Sequence, residues 1–299
     1  MNFQPLTIGQ ILDNTFRSYR ENFASLFSYT LLYQGIFILI ISLYPLLLQA
    51  NNSFLFWLIL ILLYLLYAFI IIPVFYGGVV HDTLHQLQHE EALSFQQLLK
   101  LFPSLRKMFV STNALMILIV TIFVFVFGLI MAVIVFMTAS AFTLGVAEQG
   151  IIVFVISIVI TLLMLVFLLW VPLLFPAVEI EKLRNFSAIK YVMKITYRKF
   201  GRVLAVLILL AFIYTVIYMG LLALTSAGMY LFQSGGFDWE ALTTSVWFVI
   251  FYSLISVLLA PLFPILCTWL YLDVRARVEG GDLVLALETN GEEDNEFNS

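Results

Sequence analysis

The sequence predicts an all-α integral membrane protein. It reads as six transmembrane helices in three tandem hairpins, each preceded by a cytoplasmic amphipathic helix, with the N- and C-termini both in the cytoplasm. Three observations carry this. The chain is 63% hydrophobic and 11% charged over 299 residues, with a mean hydropathy of +1.07, whereas a soluble domain is about half apolar and about a quarter charged. Long stretches lack charge: no Asp, Glu, Lys or Arg falls between Glu21 and Asp82, only Glu148, Glu179 and Glu181 fall between Lys107 and Lys182, and only Asp238 and Glu240 fall between Arg202 and Asp273. Finally, all 14 Lys and Arg sit at 17–20, 100–107, 182–202 and 275–277. An alternating chain puts those four clusters on one face, which is the positive-inside pattern.

Six spans follow, at about 25–49, 54–80, 109–137, 150–178, 203–231 and 244–272. About 20 apolar residues cross a bilayer as a helix, so the longer runs are expected to tilt or to enter the interface. The external loops, Gln49 to Ser53, around Gly145 to Gly150, and Gln233 to Glu240, are short and contain no Lys or Arg. The cytoplasmic loops, about 81–108 and 179–202, are longer. The first 25 residues carry Asp13 and Glu21 and lack a signal-peptide pattern, so the first span is expected to be its own targeting signal. The single cysteine, Cys267, excludes an intramolecular disulfide and a cysteine-based metal site.

Comparing the loops suggests an internal repeat. Residues 7–23 (TIGQILDNTFRSYRENF), 94–109 (SFQQLLKLFPSLRKMF) and 187–200 (SAIKYVMKITYRKF) each precede a pair of spans and each close on an arginine followed by a phenylalanine. Prolines recur in the second span of each pair, at Pro73, at Pro172 and Pro176, and at Pro261 and Pro264. The domain reading is one polytopic membrane domain over 1–287, with pseudo-repeats at about 5–90, 91–183 and 184–275. An acidic tail at 288–299 is expected to be disordered.

The amphipathic segments follow helical spacing. Ile8, Ile11, Leu12, Thr15 and Tyr19 share a face, as do Phe95, Leu98, Leu99 and Phe102, and Ile189, Val192, Met193 and Thr196. Lys190, Lys194, Arg198 and Arg202 recur every four residues along another side. Helices of this kind lie in the headgroup plane, and each cation near an anionic surface contributes about 1 kcal/mol. The candidate contacts with lipid headgroups or a protein partner are Arg17, Arg20, Lys100, Arg106, Lys107, Lys190, Lys194, Arg198, Lys199 and Arg202. Asp273, Arg275 and Arg277 form a further polar motif at the inner interface, ahead of an expected helix break at Gly280-Gly281.

His81, His85 and His89 are the only histidines and form a stripe spaced by four. On a straight helix the outer two are about 12 Å apart, so all three cannot close on one ion, and they are weak metal candidates only. The metalloprotease, nucleophile-elbow and P-loop patterns are missing. The mid-span polar residues are mild, Gln34 and Asn113 among them, and read as interhelical hydrogen-bonders. No catalytic residue, cofactor or nucleic-acid partner is expected.

LTIGQILDNTFRSYRENF, WVPLLFPAVEIEKLRNFSAIKYVMKITYRKF and PLFPILCTWLYLDVRARVEGGDL together resemble the family named for the membrane domain of glycerophosphoryl diester phosphodiesterases, over about residues 5–287. The resemblance implies a multi-pass protein of the bacterial plasma membrane that works with a separate enzyme or transporter. The phosphodiesterase domain and its acid and histidine motifs are not in this chain, so the family name implies no activity here. The functional expectation is a non-catalytic scaffold or accessory subunit. The alternative is a permease or export component working with a separate ATPase.

Overall fold

The computed structural model describes residues 5–48, 54–143, 158–159, 161, 168–232 and 246–296. Among them there is helix and no strand. The helices are α1 (Ile8–Glu21), α2 (Phe23–Leu48), α3 (Phe54–Leu66), α4 (Ile72–His89), α5 (Phe95–Lys100), α6 (Phe102–Thr143), α7 (Leu174–Glu181), α8 (Asn185–Arg198), α9 (Phe200–Phe232), α10 (Val246–Leu259) and α11 (Leu262–Glu296). Four stretches are long and apolar enough to cross a membrane: Ile61–His89, Phe102–Val133, Phe200–Gly220 and Ser253–Gly280. They overlap the second, third, fifth and sixth expected spans. The first expected span coincides with α2. Most of the fourth, and the three expected external loops, lie outside the described residues.

The apolar surface explains why the bilayer is the solvent. Leu62 and Tyr64 on α3, Phe125, Val133 and Phe136 on α6, and Phe212, Val216 and Leu224 on α9 are all exposed. A soluble monomer rarely exposes apolar patches beyond a few hundred Å². The membrane-length window on α6 has none of its residues buried, whereas the one spanning α10 and α11 is 67% buried. The apolar stretch of α6 beyond its buried first turns is therefore peripheral, and α11 is central.

Helix α4 packs on α2, α6, α7 and α11, and α11 packs also on α1 and α8. Two adjacent glycines allow the close approach. A Cβ on Gly77 would stand 2.6 Å from the Phe109 ring, and one on Gly78 would stand 2.2 Å from the Tyr29 hydroxyl. The surrounding core includes Trp170, Tyr29, Tyr271, Phe109 and Leu266, all fully buried.

Prolines break the second helix of each expected pair. Pro73 follows a π-helical turn at Tyr67–Ile71, Pro172 lies in a 3₁₀ turn at Val171–Leu173, and Pro261 stands at the turn between α10 and α11. At the first break the missing proline N–H leaves the Ala68 carbonyl without its i+5 donor. The buried Asn113 side chain of α6 donates to that carbonyl at 3.1 Å.

The amphipathic segments differ from expectation in two ways. The second is not one helix: α5 ends at Lys100, and the basic–aromatic close at 105–109 forms the start of α6. The apolar stripes of α1 and α8 face protein rather than headgroups. Ile11, Thr15 and Ser18 are buried on α1, and Ala188, Ile189, Val192 and Ile195 are buried on α8. Packing against α11 removes the same apolar area from water as lipid contact would. The two helices match closely. Each has 14 residues and ends in a similar break, at Asn22 (φ −116°, ψ 26°) and at Lys199 (φ −124°, ψ 35°). Helix α11 continues through Gly280-Gly281 and the acidic run to Glu296, where a break and a disordered tail were expected. Leu, Ala and Glu at 283–288 are strong helix formers.

Candidate functional site

Asp273 on α11 is 1% exposed and holds three parts of the chain together. Its carboxylate accepts the Leu6 backbone N–H at 2.8 Å, Arg277 Nε at 3.0 Å and Arg202 Nε. The Leu6 carbonyl in turn accepts from Arg277 Nη2 at 2.8 Å and from Arg202 Nη2. The Leu6 backbone is thus gripped at both its polar groups, just before α1 begins. Thr7 caps that helix with a reciprocal capping box: its hydroxyl accepts the Gln10 N–H at 3.2 Å, and its own N–H donates to Gln10 Oε1 at 2.7 Å.

Asp82 on α4 repeats this plan. It is 1% exposed and accepts the Leu93 backbone N–H at 2.8 Å, Asn22 Nδ2 at 2.7 Å and Gln86 Nε2 at 3.3 Å. Leu93 immediately precedes Ser94, which caps α5 through a capping box with Gln97. In both clasps a buried aspartate takes the N–H of a leucine that precedes a capping Ser or Thr. In both, the residue one turn later on the same helix assists (Gln86 or Arg277), as does a residue at a junction between an amphipathic and a long apolar helix (Asn22 or Arg202). The partners are neutral around Asp82 and cationic around Asp273.

Between the clasps lie two glutamates of α7. Glu179, 7% exposed, takes His81 Nδ1 at 2.9 Å and Lys182 Nζ at 3.1 Å. Burial alone would raise its pKa, but the His81 and Lys182 contacts outweigh it and hold the carboxyl below its usual range. Glu181 accepts the Tyr271 hydroxyl at 2.6 Å and pairs with Arg275 at 3.0 Å. Together with the clasps these contacts make up a polar layer whose ties join α4 to α7 through His81 and Glu179, and α7 to α11 through Glu181 with Tyr271 and Arg275. The layer joins parts of the chain by charge-assisted hydrogen bonds.

The sequence-predicted residues fall in different places. Arg17, Arg20, Lys100, Arg106, Lys107, Lys190, Lys194, Arg198 and Lys199 are exposed, whereas Arg202 is half-buried in the Asp273 clasp. Arg277 joins that clasp, and Arg275 instead pairs with Glu181 and Glu279. The histidine stripe separates: His81 reaches Glu179, His85 Nδ1 contacts the Glu91 carbonyl at 2.9 Å, and His85 packs on His89 with ring centroids 4.5 Å apart. Among the described residues no group of three metal-ligating side chains comes together. Asp82, Asn22 and Glu179 were not foreseen as site residues. A readable signal existed. Asp82, Glu181 and Asp273 each stand nine residues after a proline, namely Pro73, Pro172 and Pro264, and the leucines of the clasps open matching Leu-Thr/Ser-x-x-Gln runs at 6–10 and 93–97.

No family model, curated protein or solved structure matches the chain. Its function must be argued from the polar layer and the surfaces around it.

Proposed function

We propose that this chain is a non-catalytic integral protein of the bacterial plasma membrane that serves as a scaffold or accessory subunit for a separate membrane enzyme or transporter. The observation that carries the reading is the use of the buried acids as internal ties. Asp82 and Asp273 take internal donors on both carboxylate oxygens, and Glu179 and Glu181 each take two on Oε1, which suits holding helices in place. The chain is read as six spans in three pseudo-repeated hairpins with both termini inside. The matched clasps, the proline-to-acid spacing and the equal breaks after α1 and α8 support that repeat. The exposed cations of α1, α6 and α8 then face anionic headgroups, and the resemblance to the phosphodiesterase membrane-domain family agrees with such a role.

Purification in mild detergent, with identification of whatever co-purifies, tests the role. A stoichiometric membrane enzyme or transporter is the expected result. A nucleotide-binding subunit would instead make the chain a permease component, and turnover of a phospholipid by the pure protein would overturn the non-catalytic reading. Sidedness has its own test. In a Cys267→Ser background, Asn52→Cys and Ser234→Cys should react with an impermeant thiol reagent on whole cells, and Ser104→Cys should not.

A further inference from the structure

Helix α1 has a second face that the clasps leave unused. Ile11, Thr15 and Ser18 turn towards the protein, and the opposite side carries Asp13, Phe16, Arg17 and Arg20 at helical spacing. With Tyr19 and Phe23 these residues line a groove of about 540 Å³ at the junction of α1 and α2, within the roughly 300–1,000 Å³ range of ligand clefts. Its location is informative. Helix α2 starts at Phe23 and is apolar from there on, so the groove stands where amphipathic helix meets membrane helix, the level of the lipid headgroups.

The chemistry of the groove is mixed rather than simply basic. Arg17 and Arg20 suit a phosphate, because guanidinium forks match its oxygens. Asp13 lies one turn before Arg17 and suits a cation beside that phosphate. The aromatic residues form a wall: Tyr19 meets Phe23 edge-on at 5.5 Å, and Phe23 stacks on Phe27 at 5.7 Å. Because Phe27 covers one face of Phe23, these rings do not make a cage for a quaternary ammonium. Phe16 and Phe23 are 40% and 41% exposed, which leaves apolar surface for the start of acyl chains. The Tyr19 hydroxyl is committed to the Leu258 carbonyl, which anchors the wall to α10.

We propose that this groove binds an aminophospholipid headgroup, with the phosphate on Arg17 and Arg20 and the primary ammonium on Asp13. The proposal deepens the lipid-contact part of the reading above and rests on its placing α1 at the headgroup level.

The test uses full-length protein in mild detergent, titrated with phosphatidylethanolamine, phosphatidylglycerol or phosphatidylcholine of matched acyl chains, with bound lipid counted by native mass spectrometry. Phosphatidylethanolamine should be retained about threefold more tightly than either competitor, the scale of one exposed charge pair. Asp13→Asn should erase the advantage over phosphatidylglycerol, and Arg17→Gln with Arg20→Gln should weaken both lipids. Asp13 is exposed, so its variant should fold, and an unchanged melting temperature checks this. Equal retention of phosphatidylethanolamine and phosphatidylglycerol, a preference that survives Asp13→Asn, or tighter phosphatidylcholine would overturn the proposal. Headgroup preference in detergent depends on neither sidedness nor a partner. A failed co-purification or thiol-labelling experiment is therefore distinguishable from a failure here.

Discussion

Arg202 reaches from the first turn of α9 to Asp273, a carboxylate with no exposed side-chain surface. Removing one partner of a buried pair leaves a charge without compensation and costs about 3–5 kcal/mol. Asp273→Ala also strips the Leu6 N–H of its acceptor, so it should destabilise the protein by at least that much. Arg202→Met should cost less, because Arg277 still contacts Asp273. Thermal unfolding in detergent should rank them in that order, and equal melting temperatures for both variants and the parent would refute the clasp.

The paired glycines of α4 make a sharper steric forecast. Gly78→Ala places a methyl 2.2 Å from the Tyr29 hydroxyl and should cost about 1–3 kcal/mol, as overpacking does. Gly77→Ala should do the same against Phe109. Gly128→Ala on α6 meets nothing within 4 Å and should be neutral or slightly stabilising. Comparable melting temperatures for Gly78→Ala and Gly128→Ala would count against the packing described.

Asn113 and Pro73 should be coupled. Asn113→Ala leaves the Ala68 carbonyl unpaired in an apolar setting and should cost about 1–3 kcal/mol. In a Pro73→Ala background the restored N–H can take that carbonyl, so the same substitution should cost less. A double-mutant cycle measures the difference, and strict additivity would show that Asn113 does not serve the proline break.

Glu179 sets an acid limit on stability. Its pKa is depressed in the folded protein by His81 and Lys182 against the opposing effect of burial. A depressed carboxylate contributes stability that is fully present above its unfolded value, near 4.5, and is lost as pH falls through the lower folded value. The melting temperature should therefore drop below about pH 4.5, and Glu179→Gln should flatten that drop. An unaltered acid profile in the variant would assign the effect elsewhere.

How much of this could be read from the chain varies by residue. Hydropathy and charge placed α3–α4, α6, α9 and α10–α11 well, because lipid exposure imposes continuous apolar runs. The stripe of α1 was legible, but its covering was not: Ile11 is equally apolar whether lipid or α11 lies against it. Asp273 was legible as part of a polar motif with Arg275 and Arg277, but only the fold sends Arg277 to Asp273 and Arg275 to Glu181. Arg202 read as one more surface cation, since nothing local reveals a carboxylate that folding brings from a distant helix. Asn113 reads as an interhelical hydrogen-bonder and Pro73 as one of a recurring set of prolines, yet only the packing of α4 on α6 joins them.

The grip on Leu6 has a temporal consequence. The ribosome makes Leu6 well before Arg202, and Arg202 well before Asp273. Helix α1 must therefore wait unseated until its own anchors exist, and nascent chains cut short before Asp273 should leave it accessible to proteases.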